Sequence, residues 1–178
     1  EEALLSERYL RTSKWERYRL KALSWASTCP PAPPKGLLTL EQQSHLALMR
    51  DLTQHPEKWL ERSRDAYVAQ ALVDYHDLFE SVESSPLTTD QRKACIIDED
   101  NNLILAGAGT GKTSTVIGRV AFLVNSGQAK PEEILLLAYG SKAAEELRER
   151  LESKLGIKGI TAETFHRLGK CIVHKSEP

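Results

Sequence analysis

The chain has 178 residues and a mass of 19.9 kDa, enough for one ordinary domain or one domain with a helical attachment. Hydrophobic residues make up 40% and charged residues 28%, the mix of a soluble globular chain, which excludes disorder; no apolar run is long enough to span a bilayer. The net charge of −1 and pI near 6.6 announce no nucleic-acid partner in bulk, so any such surface is local.

No signal segment opens the chain, and it starts on Glu1 rather than Met, which suits a piece of a longer protein. In chain order, Leu5, Tyr9, Trp15, Tyr18 and the Leu20–Leu23 region recur at helical spacing, with an interruption expected at Thr12-Ser13. Cys29–Gly36 holds four prolines and reads as a rigid extended connector. A helix is predicted from about Thr39, with Leu46 and Met49 on its buried face. Pro56 opens a long helix whose stripe of Leu60, Tyr67, Ala71, Tyr75, Leu78 and Val82 is core packing.

Ser84-Ser85-Pro86 breaks this pattern. Beyond it a helix capped at Thr88 or Thr89 runs to about Asp98, and Leu103–Ala106 reads as a buried strand. A glycine-rich turn leads to a helix over Lys112–Asn125. Ile134–Ala138 is a second buried strand, Ser141–Leu155 a helix, Ile160–Ala162 a short third strand, and Thr164 opens another helix. Strand and helix alternate, so the fold class is α/β with a parallel sheet, preceded by an α-helical region. The expected division is 1–84 and 85–178. Cys29, Cys95 and Cys171 are scattered and odd in number, which argues against disulfides and zinc and suits a reducing cytoplasm. His45, His55, His76 and His174 have no partner at metal spacing and read as surface residues.

The densest chemistry is Ala106-Gly107-Ala108-Gly109-Thr110-Gly111-Lys112-Thr113, followed by Ser114. A glycine-rich turn between a strand and a helix is a phosphate loop. Its glycines let backbone N–H groups curl around an anion, and the new helix aims its positive end at the same point. Lys112 reaches the β- and γ-phosphates, and the Thr113 hydroxyl is placed to ligate Mg²⁺. The expected nucleotide-binding set is therefore Gly107, Ala108, Gly109, Thr110, Gly111, Lys112, Thr113 and Ser114, with Lys112 and Thr113 as the catalytic pair and Thr113 as the metal ligand. Ala106 stands where the general pattern has its first glycine. Upstream, Gln91 has an amide that can donate to and accept from the single edge of adenine, which points to ATP over GTP; a plain surface glutamine is the alternative.

These residues resemble the UvrD/Rep-type superfamily-one helicases. Leu87-Thr88-Thr89-Asp90-Gln91 is similar to their Q motif, and Ala106–Thr113 to motif I, where alanine at the first position is usual. Leu137–Ala144 resembles motif Ia, with Gly140 and Ser141 in place of the usual Thr and Asn, and Thr164-Phe165-His166 resembles motif Ib. Residues 66–86 are similar to the helix that precedes the Q motif in bacterial helicase IV. The resemblance implies a partial RecA-like parallel sheet in residues 85–178. It also implies ATP and Mg²⁺ as cofactors, single-stranded DNA as partner, 3′–5′ polarity and a place in DNA repair. It implies, too, an incomplete motor, because the family's Asp-Glu pair and second-domain arginines have no counterpart here. The N-terminal helices are left as a surface for protein partners.

On the DNA side, Lys142 sits at the mouth of a helix, where a lysine clamps phosphate. Phe165 and His166 follow a strand on the ligand side of the sheet, where an aromatic and an imidazole could stack on or bond to bases; a core Phe165, a solvated Lys142 and an uninformative His166 are the alternatives. Tyr139, Ser141 and Thr164 join them through the motifs. The Glu145–Glu152 run reads as a solvated, ion-paired face. Two alternatives stand beside an ATP-driven helicase: a translocase that displaces proteins or RNA polymerase without processive unwinding, and a nucleotide-binding docking module without turnover.

Overall fold

The computed structural model describes residues 8–28 and 38–176; Leu5 and the Cys29–Gly36 connector lie outside the described residues. The backbone packs as two compact units, residues 1–70 with 97–103, and residues 71–96 with 104–178.

In the first unit, α1 (Thr12–Thr28), α2 (Leu40–Gln54) and most of α3 (Pro56–Asp74) pack on one another. The core is Leu10, Trp15, Ala22, Leu52, Trp59 and Leu60, with Tyr18, Leu48 and Met49 against it. The Trp15 and Trp59 rings stack 5.2 Å apart at 11°, a pairing that adds about 0.5–1.5 kcal/mol beyond the area it buries. Thr12-Ser13 begins α1 rather than interrupting it. The orphan N–H groups of a helix start need acceptors, and a distant acidic loop supplies them. Thr12 N–H donates to Glu99 Oε2 at 3.0 Å and Ser13 N–H to Asp100 Oδ2 at 2.9 Å, while the Ser13 hydroxyl donates to Asp100 Oδ1 at 2.7 Å. Arg11 grips the Asp98 carboxylate with Nε at 2.9 Å and a terminal nitrogen at 2.7 Å. Arg64 lies over the Tyr9 ring at 5.1 Å and pairs with Glu99. α2 starts as the sequence predicts, on a reciprocal cap: Thr39 Oγ1 accepts from the Gln42 N–H and Gln42 Oε1 from the Thr39 N–H.

The long predicted helix is broken. α3 ends at Asp74, Tyr75 leaves helical geometry at φ −108°, and α4 (His76–Ser81) follows. The stripe serves two cores. Leu60 belongs to the first cluster, whereas Ala71, Phe79 and Val82 are buried in the second unit.

The second unit holds α4, α5 (Thr89–Ile96), α6 (Lys112–Asn125), β1 (Leu135–Ala138), α7 (Ser141–Leu155), β2 (Thr161–Thr164) and α8 (Phe165–Ser176). β1 and β2 pair in parallel, Leu135 opposite Thr161 and Ala138 opposite Thr164. The chain is thus mostly helical, with a small two-stranded parallel sheet joined through α7. The predicted buried strand at Leu103–Ala106 is not formed. That segment is outside the sheet, and Leu103 and Leu105 are 83% and 86% exposed. Apolar character makes a run want cover, but a strand also needs a ladder partner, and here the two strands pair only with each other.

α5 lies against α6 through a close approach at Gly118. A Cβ there would stand 2.6 Å from Leu87 Cδ1 and 2.9 Å from Cys95 Sγ. Both neighbours are buried, and burial pushes the Cys95 thiol up to about 12. Tyr75 meets Phe122 edge-on at 5.0 Å, and Phe79 stacks on the same ring at 6.1 Å. Glu83, nearly buried, is held by Arg150 and Lys154 of α7.

Candidate nucleotide and nucleic-acid sites

Residues 106–110 form an exposed loop that turns through the half-buried Gly111 into α6 at Lys112. Gly109 and Gly111 carry φ of +74° and +87°, the left-handed region that glycine alone enters freely. Gly111 is the N-cap residue and no side chain caps the helix. The first turn's N–H groups are therefore the unsatisfied positive end of α6. Lys112 folds back over the loop, its Nζ donating to the Ala106 carbonyl at 3.1 Å and the Gly107 carbonyl at 2.6 Å. Thr110 Oγ1 donates to the same Gly107 carbonyl at 2.9 Å. Lys112 and Thr113 are exposed, Ser114 half-buried. Thr115, one turn on, is buried with its hydroxyl bonded to the Gly111 carbonyl at 3.0 Å, and it fixes the helix start.

Gln91 sits beside this loop. Its Oε1 accepts from the Thr88 N–H at 2.8 Å, and Thr88 Oγ1 accepts from the Gln91 N–H at 3.3 Å. This is the capping box of α5, and the Thr-x-x-Gln spacing carried its signal in the sequence. The Gln91 Nε2 donates to the Thr110 carbonyl at 3.1 Å. One amide N–H and one carbonyl lone pair of Gln91 remain for another partner. The contact is tight enough that a Cβ on Gly111 would lie 2.4 Å from Gln91 Nε2. Gln91 thus has a structural task that its sequence reading did not include. Arg92 fastens the same helix, donating to the Leu87 carbonyl at 2.7 Å and pairing with Glu80 at 2.6 Å.

The other expected residues gather at the carboxyl ends of the two strands. Ala138 and Thr164 are paired, so Tyr139 and Phe165 are the next residues of adjacent parallel strands. Their rings are 101% and 64% exposed. Ser141 and Lys142 open α7 and are exposed; Gly140 is its N-cap, without a side-chain cap. Thr164 Oγ1 accepts from the Arg167 N–H at 3.3 Å and starts α8, on which His166 is exposed. Ser141, Thr164, Arg148 and Arg167 line a cleft of about 120 Å³ between α7 and β2. Arg148 donates to the Ala162 carbonyl at 2.9 Å and ties α7 to β2. The two arginines were not among the expected residues, since one lies in the mixed-charge run and the other just past motif Ib.

An α/β unit with a glycine loop opening a helix defines a broad class. Residues 87–178 match the UvrD/REP helicase N-terminal domain, just over half of the chain, and the chain belongs to that family. It is 48% identical to DNA helicase IV of Escherichia coli K12 over 110 residues, 62% of this chain and 16% of that protein. It is 39% identical to the ATP-dependent DNA helicase Rep of Buchnera aphidicola subsp. Schizaphis graminum over 92 residues, 50% of this chain and 14% of the other. It is 35% identical to the ATP-dependent DNA helicase SRS2 of Saccharomyces cerevisiae over 97 residues, 51% of this chain. The chain spans between 8% and 16% of the length of these relatives. Among the described residues no helix is long and apolar enough to cross a membrane, and no group of His, Cys, Asp and Glu forms a metal cluster.

Proposed function

We propose that the protein is an ATP-driven helicase acting on single-stranded DNA in the cytoplasm with 3′–5′ polarity. Residues 85–178 are the first part of its RecA-like motor domain, and residues 1–84 are a helical attachment open to protein partners. The observation that carries this reading is the loop at the start of α6. Its two left-handed glycines and its uncapped helix end fit a chain of phosphates, and only glycine at position 111 lets Gln91 close over it.

ATP bound with Mg²⁺ supplies the transferable phosphoryl group and the metal's charge. The chain's own residues hold and orient it. Backbone N–H groups over Gly107–Ser114 present donors and the helix dipole to the phosphates. Lys112 exchanges the Ala106 and Gly107 carbonyls for phosphate oxygens, a charge-assisted bond in place of two neutral acceptors. Thr113 offers its hydroxyl oxygen to the cation. The remaining amide N–H and lone pair of Gln91 face an adenine edge while its other contacts keep the loop closed. Tyr139 and Phe165 offer two stacking faces, and Lys142 a phosphate contact at the start of α7.

Calorimetric titration of the 178-residue chain tests the nucleotide site. ATP binds, and Lys112→Ala weakens it about 10- to 100-fold, since a hydrogen bond to a charged group contributes roughly 1.5–3 kcal/mol. Equal affinity of the two proteins overturns the reading. A phosphate-release assay on the same chain gives no DNA-stimulated turnover, because an arginine finger alone contributes about 10³–10⁵ in rate. Turnover of several per second would show that the chain carries its full catalytic set.

A further inference from the structure

The first unit carries a surface groove of about 370 Å³ that the nucleotide and DNA readings leave unused. α3 supplies most of its lining as two neighbouring rows, because residues three and four apart share a helix face. Leu60 and Val68 stand in the more buried row, and Glu57, Glu61 and Asp65 in the exposed one. Tyr9, buried, and Ile97, half-buried, complete an apolar floor. The three carboxylates recur every fourth residue and span about 12 Å of helix.

The charge of this groove is one-sided. Arg64 also lines it but is already engaged, donating to the Leu10 carbonyl from Nε at 3.0 Å and from a terminal nitrogen at 2.9 Å and pairing with Glu99. Among the described residues the side chains of Glu57, Glu61 and Asp65 make no ion pair or hydrogen bond. Like charges four residues apart destabilise a helix. The helix dipole accounts for Glu57 in the first turn and fades before Glu61 and Asp65. A merely solvated face pairs its charges along the helix, as Glu146 and Arg150 do on α7 at 2.5 Å. Here Arg62, three residues from Asp65, turns instead to Asp51 of α2 at 3.6 Å.

We propose that this groove docks a basic amphipathic helix of a partner protein. The proposal rests on the reading of the N-terminal helices as open to protein partners, and it names the chemistry of that partner. An apolar side chain of the incoming helix fills the floor at Leu60, Val68 and Ile97. Its lysines or arginines, one turn apart, meet carboxylates one turn apart on α3, so successive pairs form in register. The same three charges repel a nucleic acid.

Fluorescence anisotropy with the 178-residue chain and a labelled leucine–lysine amphipathic helix tests this, with the leucine–glutamate peptide of the same pattern as control. The parent binds the basic peptide and not the acidic one. Glu61→Gln with Asp65→Asn weakens binding roughly three- to tenfold at low salt and flattens its salt dependence, as expected for two exposed charge pairs. Val68→Thr, nearly isosteric, weakens binding about threefold with the salt dependence unchanged, because it alters only the apolar floor. Glu149→Gln with Glu152→Gln, an equal change of charge on α7, leaves binding as in the parent. Circular dichroism of every variant matches the parent. Equal binding by the Glu61→Gln, Asp65→Asn variant overturns the proposal. So does an equal loss from the α7 pair, or no effect of Val68→Thr, since either would mean general charge attraction only. Self-association of the parent in sedimentation, removed by Glu61→Gln with Asp65→Asn, would make the occupant a second copy and overturn the choice of partner. The ATP titration of Lys112→Ala reads the helicase assignment separately, so a groove that binds no peptide leaves that assignment standing.

Discussion

Gly118→Ala sets two effects of opposite sign against each other. Alanine inside a helix is favoured over glycine by about 1 kcal/mol, so propensity alone makes the variant more stable. Packing says the reverse. The new methyl would lie 2.6 Å from Leu87 Cδ1 and 2.9 Å from Cys95 Sγ, where carbon contacts are normally well beyond 3 Å. Neither neighbour can retreat freely. Leu87 is 3% exposed and its N–H is fixed to the Phe79 carbonyl at 3.1 Å. Cys95 is fully buried, with its thiol on the Thr115 carbonyl. Overpacking costs roughly 1–3 kcal/mol in general, and two contacts under 3 Å to buried neighbours put this one in the upper part of that range, about 2–3 kcal/mol, so packing wins and the net loss is about 1–2 kcal/mol. The strain also has a direction. It pushes α5 off α6, and α5 carries Gln91 on its bond to Thr110. Urea denaturation gives the stability and calorimetric titration the ATP affinity, and both fall. In a Cys95→Ala background one of the two clashes is gone, so Gly118→Ala costs about 0.5–1 kcal/mol less there. A Gly118→Ala protein as stable as the parent, or more so, would refute the close approach of the two helices.

Other consequences separate the parts of the molecule. Gln91→Glu keeps an acceptor for the Thr88 N–H but turns a carboxylate on the Thr110 carbonyl, so urea stability holds within about 0.5 kcal/mol while ATP affinity drops; parallel losses of both would mean that the cap, not the loop, is its task. Glu83→Gln leaves Arg150 and Lys154 facing an uncharged amide, and because both cations are over a third exposed the cost is only about 1–2 kcal/mol in urea. The Ser13 hydrogen bonds hold the Asp100 carboxyl below the usual aspartate range. A lowered folded-state value means the stabilisation is present above that range and is lost as pH falls through the lowered value. The urea midpoint of the parent therefore declines below about pH 4, and Asp100→Asn removes that component. In native alkylation followed by mass spectrometry Cys171 is modified and Cys95 is not, since one is exposed and the other is buried with its thiol pushed up to about 12.

Much of the local structure was legible because it is written in local terms. The helix start near Thr39, the proline opening α3, the limits of α6 and α7 and the glycine turn before Lys112 each depend on neighbours within about four residues. The family could likewise be recognised from short motifs, since a phosphate loop must have its glycines, lysine and threonine in consecutive order. Other features depended on residues far away along the chain. Thr12-Ser13 starts a helix because carboxylates 87 residues distant accept its N–H groups. The apolar run Leu103–Leu105 reads as a buried strand, yet burial and pairing are decided by what lies alongside, and nothing in the run itself fixes that. The stripe from Leu60 to Val82 has one period in sequence but divides between two cores, with the helix broken at Tyr75. Gln91 presents its chemistry in the sequence as a free amide, and only the fold turns part of that amide onto Thr110. Side-chain type and spacing determine what a residue can bond. Which of those bonds it makes is settled when the chain brings distant groups within about 3 Å, and hydrogen-bond energy falls off too steeply with distance and angle for the sequence to specify that choice by itself.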